Sequence, residues 1–257
     1  MLEGQSIESI SSKIKSHELK SEDVVKFFLD KIKQYNKDLN AIVSLRDETE
    51  IISEAKEKDR SIDNGNEIGL LHGMPLAIKD ITDVKELPTS FGCKEYKNNF
   101  PDEDSIISER LKKEGAIIIG KTNTAELAYG SQTSNRLFGS THNPYDITKT
   151  AGGSSGGAAA AVSSGMLPLA DGTDMMGSVR NPAAYCNLYG FRPTPGLIPE
   201  KRTEVSNIKY PLLSTLGGIA RTPDELSIFL DAVSGRDERD PFSCLLYTSD
   251  AADDPTC

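Results

Sequence analysis

The chain has 257 residues, 37% of them hydrophobic and 26% charged, which is enough for one large domain or two small ones with a substantial core. Its 29 basic and 39 acidic residues leave a formal charge of −10. That balance argues against a nucleic-acid surface, because phosphate recognition needs clustered Lys and Arg.

The first 60 residues read as helical. Ser21 is placed to cap a helix, Glu22 and Asp23 suit its first turn, and Val24, Val25, Phe28, Leu29 and Ile32 recur on one face. Ala41 to Leu45 reads as a short strand and Glu48 to Arg60 as a charged surface helix. From Gly69 the texture changes. Pro75 to Lys79 is a short apolar run closed by a charge, as a buried strand would be. A helix capped by Ser105 leads into Ala116-Ile-Ile-Ile-Gly-Lys121, which suits a strand covered on both faces. Alternating helices and strands make an α/β fold the economical reading.

Residues 150–180 hold the unusual composition. Gly152-Gly-Ser-Ser-Gly-Gly157 delivers the chain into a small-residue helix, Ala158 to Val162. Met166 to Ala170 then reads as a strand and Asp171 to Ser178 as a turn. A last helix spans Pro223 to Val233. Residues 244–257 continue no periodicity and look like a non-native, adapter-derived tail, so they are set aside from fold reasoning.

No stretch approaches the ~20 apolar residues of a membrane span, and the start lacks the basic flank and apolar run of a secretory signal. Cys93, Cys186, Cys244 and Cys257 form no CxxC pair and have no His at metal spacing. Free thiols in a cytoplasmic protein without a metal are the expectation.

The chemistry begins with Ser178. It follows a glycine in a turn, where unobstructed backbone N–H groups could receive a developing oxyanion. A serine hydroxyl needs a base. His17, His72 and His142 are the only histidines, and no GxSxG elbow accompanies them. A lysine serves instead if burial disfavours its ammonium form. Lys79 and Lys121 both close apolar strand-like runs, and spacing alone does not separate them.

Three segments resemble the amidase signature family: Leu71-His-Gly-Met-Pro-Leu-Ala-Ile-Lys-Asp80, Asn143-Pro-Tyr-Asp through Gly157, and Asp171-Gly-Thr-Asp-Met-Met-Gly-Ser-Val-Arg-Asn-Pro-Ala183. Lys121-Thr-Asn-Thr-Ala-Glu126 and Gly190-Phe-Arg-Pro-Thr194 join them in order. The resemblance implies a mixed β-sheet covered by helices on both faces, and a hydrolase that cleaves carbon–nitrogen amide bonds without a cofactor. It implies Lys79 as base, Ser154 as proton relay and Ser178 as nucleophile. Backbone N–H groups of Met175, Met176, Gly177 and Ser178 would line the oxyanion hole, with Ser155, Thr173, Asp174 and Arg180 as supports. The partner is a small-molecule amide; a homodimer is compatible with the resemblance, and neither nucleic acid nor membrane is expected.

Two departures stand out. Met176 replaces a glycine usual in the family, and it would cost roughly 1–2 kcal/mol if that position needs φ > 0. Family chains also continue further, so the sheet is expected to be incomplete in residues 1–243, with an exposed edge that favours aggregation or inactivity. Two alternatives share the motifs: the amidase-like subunit of a tRNA-dependent glutamine/asparagine amidotransferase, and an inactive fragment that keeps the fold. Glu126 to Asn135 and the acidic Ala170 to Asp174 look more like stand-alone amidases.

Overall fold

The computed structural model describes residues 2–201 and 213–243; the adapter-like tail lies outside them. The N-terminal helices are α1 (Ile7–Lys15), α2 (Ser21–Leu39) and α3 (Glu48–Asp63). In α2 the apolar face that the spacing predicts, Val24, Val25, Phe28, Leu29 and Ile32, is buried. Its cap differs from expectation. Ser21 is the first residue of the helix, and the Asp59 carboxylate from α3 accepts the Ser21 and Glu22 N–H groups at 2.6 and 3.2 Å. A carboxylate arriving from another helix satisfies the same orphan donors and suits the dipole. The strand expected at Ala41 to Leu45 reduces to a single bridge, Ile42 to Thr122. The neighbouring backbone still follows the next strand edge, with Val43 N–H donating to the Lys121 carbonyl.

Strand β1 (Pro75–Lys79) has the bounds read from the sequence and is buried throughout. Helix α4 (Ile106–Lys113) is capped by Ser105 as expected, and β2 (Ile117–Thr122) pairs parallel with β1, Pro75 opposite Ile117 and Lys79 opposite Thr122. Two small hairpins follow, β3 (Ser134–Asn135) with β4 (Gly139–Ser140), and β5 (His142–Asn143) with β6 (Asp146–Thr150). Then come α5 (Gly156–Ser163), β7 (Ala170–Asp174), α6 (Arg180–Tyr185), β8 (Tyr189–Phe191), β9 (Thr215–Ala220) and α7 (Pro223–Val233). Strand β9 lies between β7 and β8, antiparallel to both.

The strand expected at Met166 to Ala170 sits four residues later, because Ala170 to Asp174, expected as a turn, pairs residue for residue with Ile219 to Thr215. The apolar run that suggests the strand is buried core on the way into it.

Side-chain parity shows that both faces of the sheet are covered. Leu76, Ile78 and Ile118 face a cluster built with Ile107 and Leu111 of α4 and Phe229 and Val233 of α7. Ala77, Ile117 and Ile119 face the opposite cluster, with Ala158 to Val162 of α5 and Leu29 and Ile32 of α2. A strand with period two buried on both sides reads as continuously apolar, as β1 and β2 do. Parity sends Lys79 to the same side as Ala77, toward the helix that the Gly/Ser loop introduces.

Candidate active site

Three segments converge at the end of β1. Strand β1 brings Lys79, the loop before α5 brings Ser154, and β7 with the turn after it brings Thr173, Asp174 and Ser178. Helix α5 reaches this position because it carries almost no side chain: it is glycine and alanine over most of its length and buried from Gly156 to Val162. A Cβ on Gly157 would lie 2.3 Å from the Asn123 amide nitrogen, so only glycine lets the helix approach this closely.

The Lys79 side chain is fully buried, and its Nζ donates to Ser154 Oγ and to Thr173 Oγ1, both at 2.8 Å. Burial pushes the amine down to about 7, against the pull of Asp171 and then Asp174, which favour its charged form. Lys121 is also buried, and burial brings it to about 8, but its Nζ donates to the Thr82 carbonyl and the Thr89 hydroxyl. The structure thus separates the two lysines that spacing left equal: only Lys79 touches the Gly/Ser loop and β7.

Ser154 is fully buried and follows a cis peptide bond from Gly153. Its carbonyl accepts from the Thr133 hydroxyl and the Ala125 N–H, and Thr133 Oγ1 also accepts the Gly156 N–H at 2.8 Å. Thr133 is a support that sequence reasoning misses, since nothing local marks it. Ser155, the N-cap residue of α5, donates its N–H to the Ser178 carbonyl at 3.1 Å. The backbone of Ser178 is thereby tied to the residue next to Ser154. Ser178 itself is half-buried, consistent with a hydroxyl reachable from outside.

The turn before Ser178 is organised by Asp174. Its carboxylate accepts N–H groups from Gly177, Val179 and Arg180 and a two-pronged contact from the Arg180 guanidinium, with both prongs at 2.9 Å. Burial alone would raise this carboxyl; Arg180 and the three amides outweigh it and hold it at about 2. Asp174 and Arg180 thus hold the turn before Ser178 together, and Thr173 touches the lysine amine directly. The expectation for Gly177 needs correcting. Its N–H donates to Asp174 Oδ1 at 2.8 Å, because the aspartate side chain curls back over its own turn, leaving Met175, Met176 and Ser178 as candidate oxyanion donors. In this turn the left-handed residue is Gly177, with φ +108°, whereas Met176 stays outside that region. The strain anticipated at Met176 is absent, and its side chain is 82% exposed.

The histidines take no part. His72 is buried with Nε2 3.0 Å from the Lys58 carbonyl, His17 pairs with Asp63, and His142 lies in β5. Asp171 escapes a sequence reading that makes it part of a turn. As a strand residue it faces β1, and its Oδ1 accepts the backbone N–H of Lys79 at 2.9 Å. Among the described residues no group of three or more His, Cys, Asp or Glu is arranged to hold a metal, and no helix is long and apolar enough to cross a membrane.

A family model described as Amidase matches residues 23–254, a span that includes most of residues 244–257, which the sequence reading set aside. An acylamidase of Rhodococcus erythropolis is 37% identical over 234 residues, covering 91% of this chain and 48% of that protein. The A-type subunit of a glutamyl-tRNA(Gln) amidotransferase of Clostridium acetobutylicum is 39% identical over 235 residues, with the same two coverages. The chain thus spans about half the length of the curated relatives it matches. Among solved structures, a bacterial aryl acylamidase of the amidase signature enzymes superposes with a TM-score of 0.89 at 32% identity, over 95% of this chain and 50% of the other. By the extent of the family match and by its fold, the chain belongs to the amidase family, with the α/β architecture of the amidase signature enzymes.

Proposed function

We propose that this chain carries the catalytic centre of an amidase that forms an acyl-enzyme on Ser178. The observation that carries the reading is the buried Lys79 amine, brought to about 7 and bonded to Ser154 Oγ. An amine that is free near neutrality can take a proton, and a buried hydroxyl beside it can pass one on.

In this reading Ser178 Oγ attacks the amide carbon and gives its proton to Ser154, whose own proton moves to Lys79 Nζ. The negative charge on the carbonyl oxygen is received by backbone N–H groups of Met175, Met176 and Ser178. Collapse breaks the carbon–nitrogen bond, and the proton on Lys79 returns through Ser154 to the leaving amine. Water, activated by the same relay, then releases the acid and restores Ser178. Thr173 holds the amine in place, and Asp174 with Arg180 holds the donor turn. A small-molecule amide is the substrate class, the groups involved fall within residues 69–243, and the buried free thiols Cys93 and Cys186 fit a cytoplasmic setting.

The test is covalent labelling of the complete protein with a fluorophosphonate, located by mass spectrometry. Ser178 should be labelled in the wild type, and Ser178→Ala should take up none. An unlabelled wild type would overturn the reading and favour a catalytically inactive relative. The similarity to a component of a glutamyl-tRNA(Gln) amidotransferase favours a second reading, in which the same centre works within such a complex. Glutaminase activity that requires the other components of the complex would select it.

A further inference from the structure

One buried carboxylate beside the site has no part in the relay just described. Asp171 lies in β7, is 1% exposed, and feels the charge of both buried lysines, Lys121 and Lys79. Its Oδ1 accepts the main-chain N–H of Lys79 at 2.9 Å, across 92 residues of sequence, while its Oδ2 is buried without a hydrogen-bond partner among the described residues. A carboxyl placed only to bridge two strands could be replaced by any neutral acceptor. A buried charge is a costly way to make one hydrogen bond, unless the charge itself is used.

We infer that Asp171 is a positioning residue for the amidase reaction, which anchors the backbone of Lys79 and presents a buried carboxyl group to the segment that carries the amine. The inference rests on the proposed role of Lys79. Burial raises Asp171; the Lys79 N–H, the Lys121 charge and the Lys79 charge pull it back toward the carboxylate. Burial is the largest of these effects, so the carboxyl lies above the usual carboxylate range, and whether its charge acts on Lys79 is what the Asp171→Asn comparison reads.

The other charges around Lys79 are accounted for. Asp174 in β7 also raises it but is already paired with Arg180 and approached by Arg192. Asp80, next in the chain, is held by the Ser90 N–H and hydroxyl and the Gly92 N–H. Lys121 in β2 is bonded to Thr82 and Thr89. Helix α5 brings only glycine, alanine, valine and serine to this face, and the buried residues of α2 are apolar apart from Ser21. Of the two carboxylates that favour the charged form of Lys79, Asp174 is paired with Arg180, whereas Asp171 bonds the Lys79 main chain and no cationic side chain among the described residues.

The test compares wild type, Asp171→Asn and Asp171→Ala in the complete protein, reading the rate of Ser178 labelling by a fluorophosphonate from about pH 5 to 9. Asparagine keeps an acceptor for the Lys79 N–H and removes the charge. It should leave the plateau rate within about threefold and move the acid limb down by about one pH unit. Alanine removes both, so the limb should move and the plateau should fall about tenfold. A limb in Asp171→Asn that superimposes on wild type overturns the inference while leaving the Lys79 assignment intact. A wild type that is not labelled at Ser178 overturns both. Should Asp171→Asn fail to fold, as judged by circular dichroism, Asp171→Ser carries the same test with a smaller neutral side chain.

Discussion

The Lys79 amine and the Ser154 hydroxyl lie 75 residues apart in the chain and 2.8 Å apart in the structure, both fully buried. No water-filled surface screens this contact, which is why the lysine loses most of its preference for charge.

That loss has a kinetic signature. With Lys79 held at about 7, labelling of Ser178 should rise through an inflection near that pH and fall about tenfold per unit below it. The sign follows from which form is the base: the free amine predominates above about 7, the ammonium below. A pH profile of the labelling rate checks this, and a flat profile from about pH 5 to 9 would remove Lys79 as the base.

Burying an amine so deeply should weaken the fold. Lys79 is lowered in the folded state from 10.5 to about 7, so the unfolded chain binds more protons between those values and stability rises with pH across that window. Lys79→Met removes the penalty. The variant should be inactive yet melt higher than wild type by a few degrees, on the order of 1–3 kcal/mol. The gain should be larger at pH 6 than at pH 9, since about pH 7 is where the penalty begins to lift. Equal melting temperatures at both pH values would contradict it.

Met176 should tolerate glycine with little change. Its backbone lies outside the left-handed region and its side chain is mostly in solvent. Met176→Gly therefore relieves no strain and adds about 0.5–1 kcal/mol of chain entropy to the unfolded state. Turnover within about threefold of wild type is the expected outcome in a steady-state assay. A tenfold or greater gain would restore the view that a glycine is required there.

Asp174 should be far less tolerant. Asp174→Ala deprives Gly177, Val179 and Arg180 of an acceptor and releases the donor turn. Denaturant unfolding should show a loss of roughly 2–4 kcal/mol, and Ser178 labelling should slow by at least ~100-fold. Because Asp174 is depressed to about 2, its stabilisation is complete above the usual carboxylate range and disappears only as pH falls through about 2. The variant's deficit should therefore be constant from about pH 5 to 8.

Much of this architecture is legible before any coordinates. Strand β1 has the bounds read from its apolar run, α7 spans the predicted residues, and α4 begins at the predicted Ser105 cap. These features are local: hydrophobic period, caps and proline placement act within a few residues. The resemblance names Lys79, Ser154 and Ser178, and the chain's own spacing could not, since Lys121 fits the same local pattern.

What the residues determined by themselves was the kind of elements and the chemical inventory, a pair of lysines in apolar strands and two serines in glycine-rich turns. Only the tertiary structure decided which lysine meets which serine, that the Gly177 amide is engaged by Asp174, that Asp59 caps α2, and that Asp171 belongs to a strand facing Lys79. The reason is physical. Burial and long-range pairing set the pKa of an amine and the partner of a hydrogen bond, and both are properties of the packed neighbourhood rather than of any short stretch of chain.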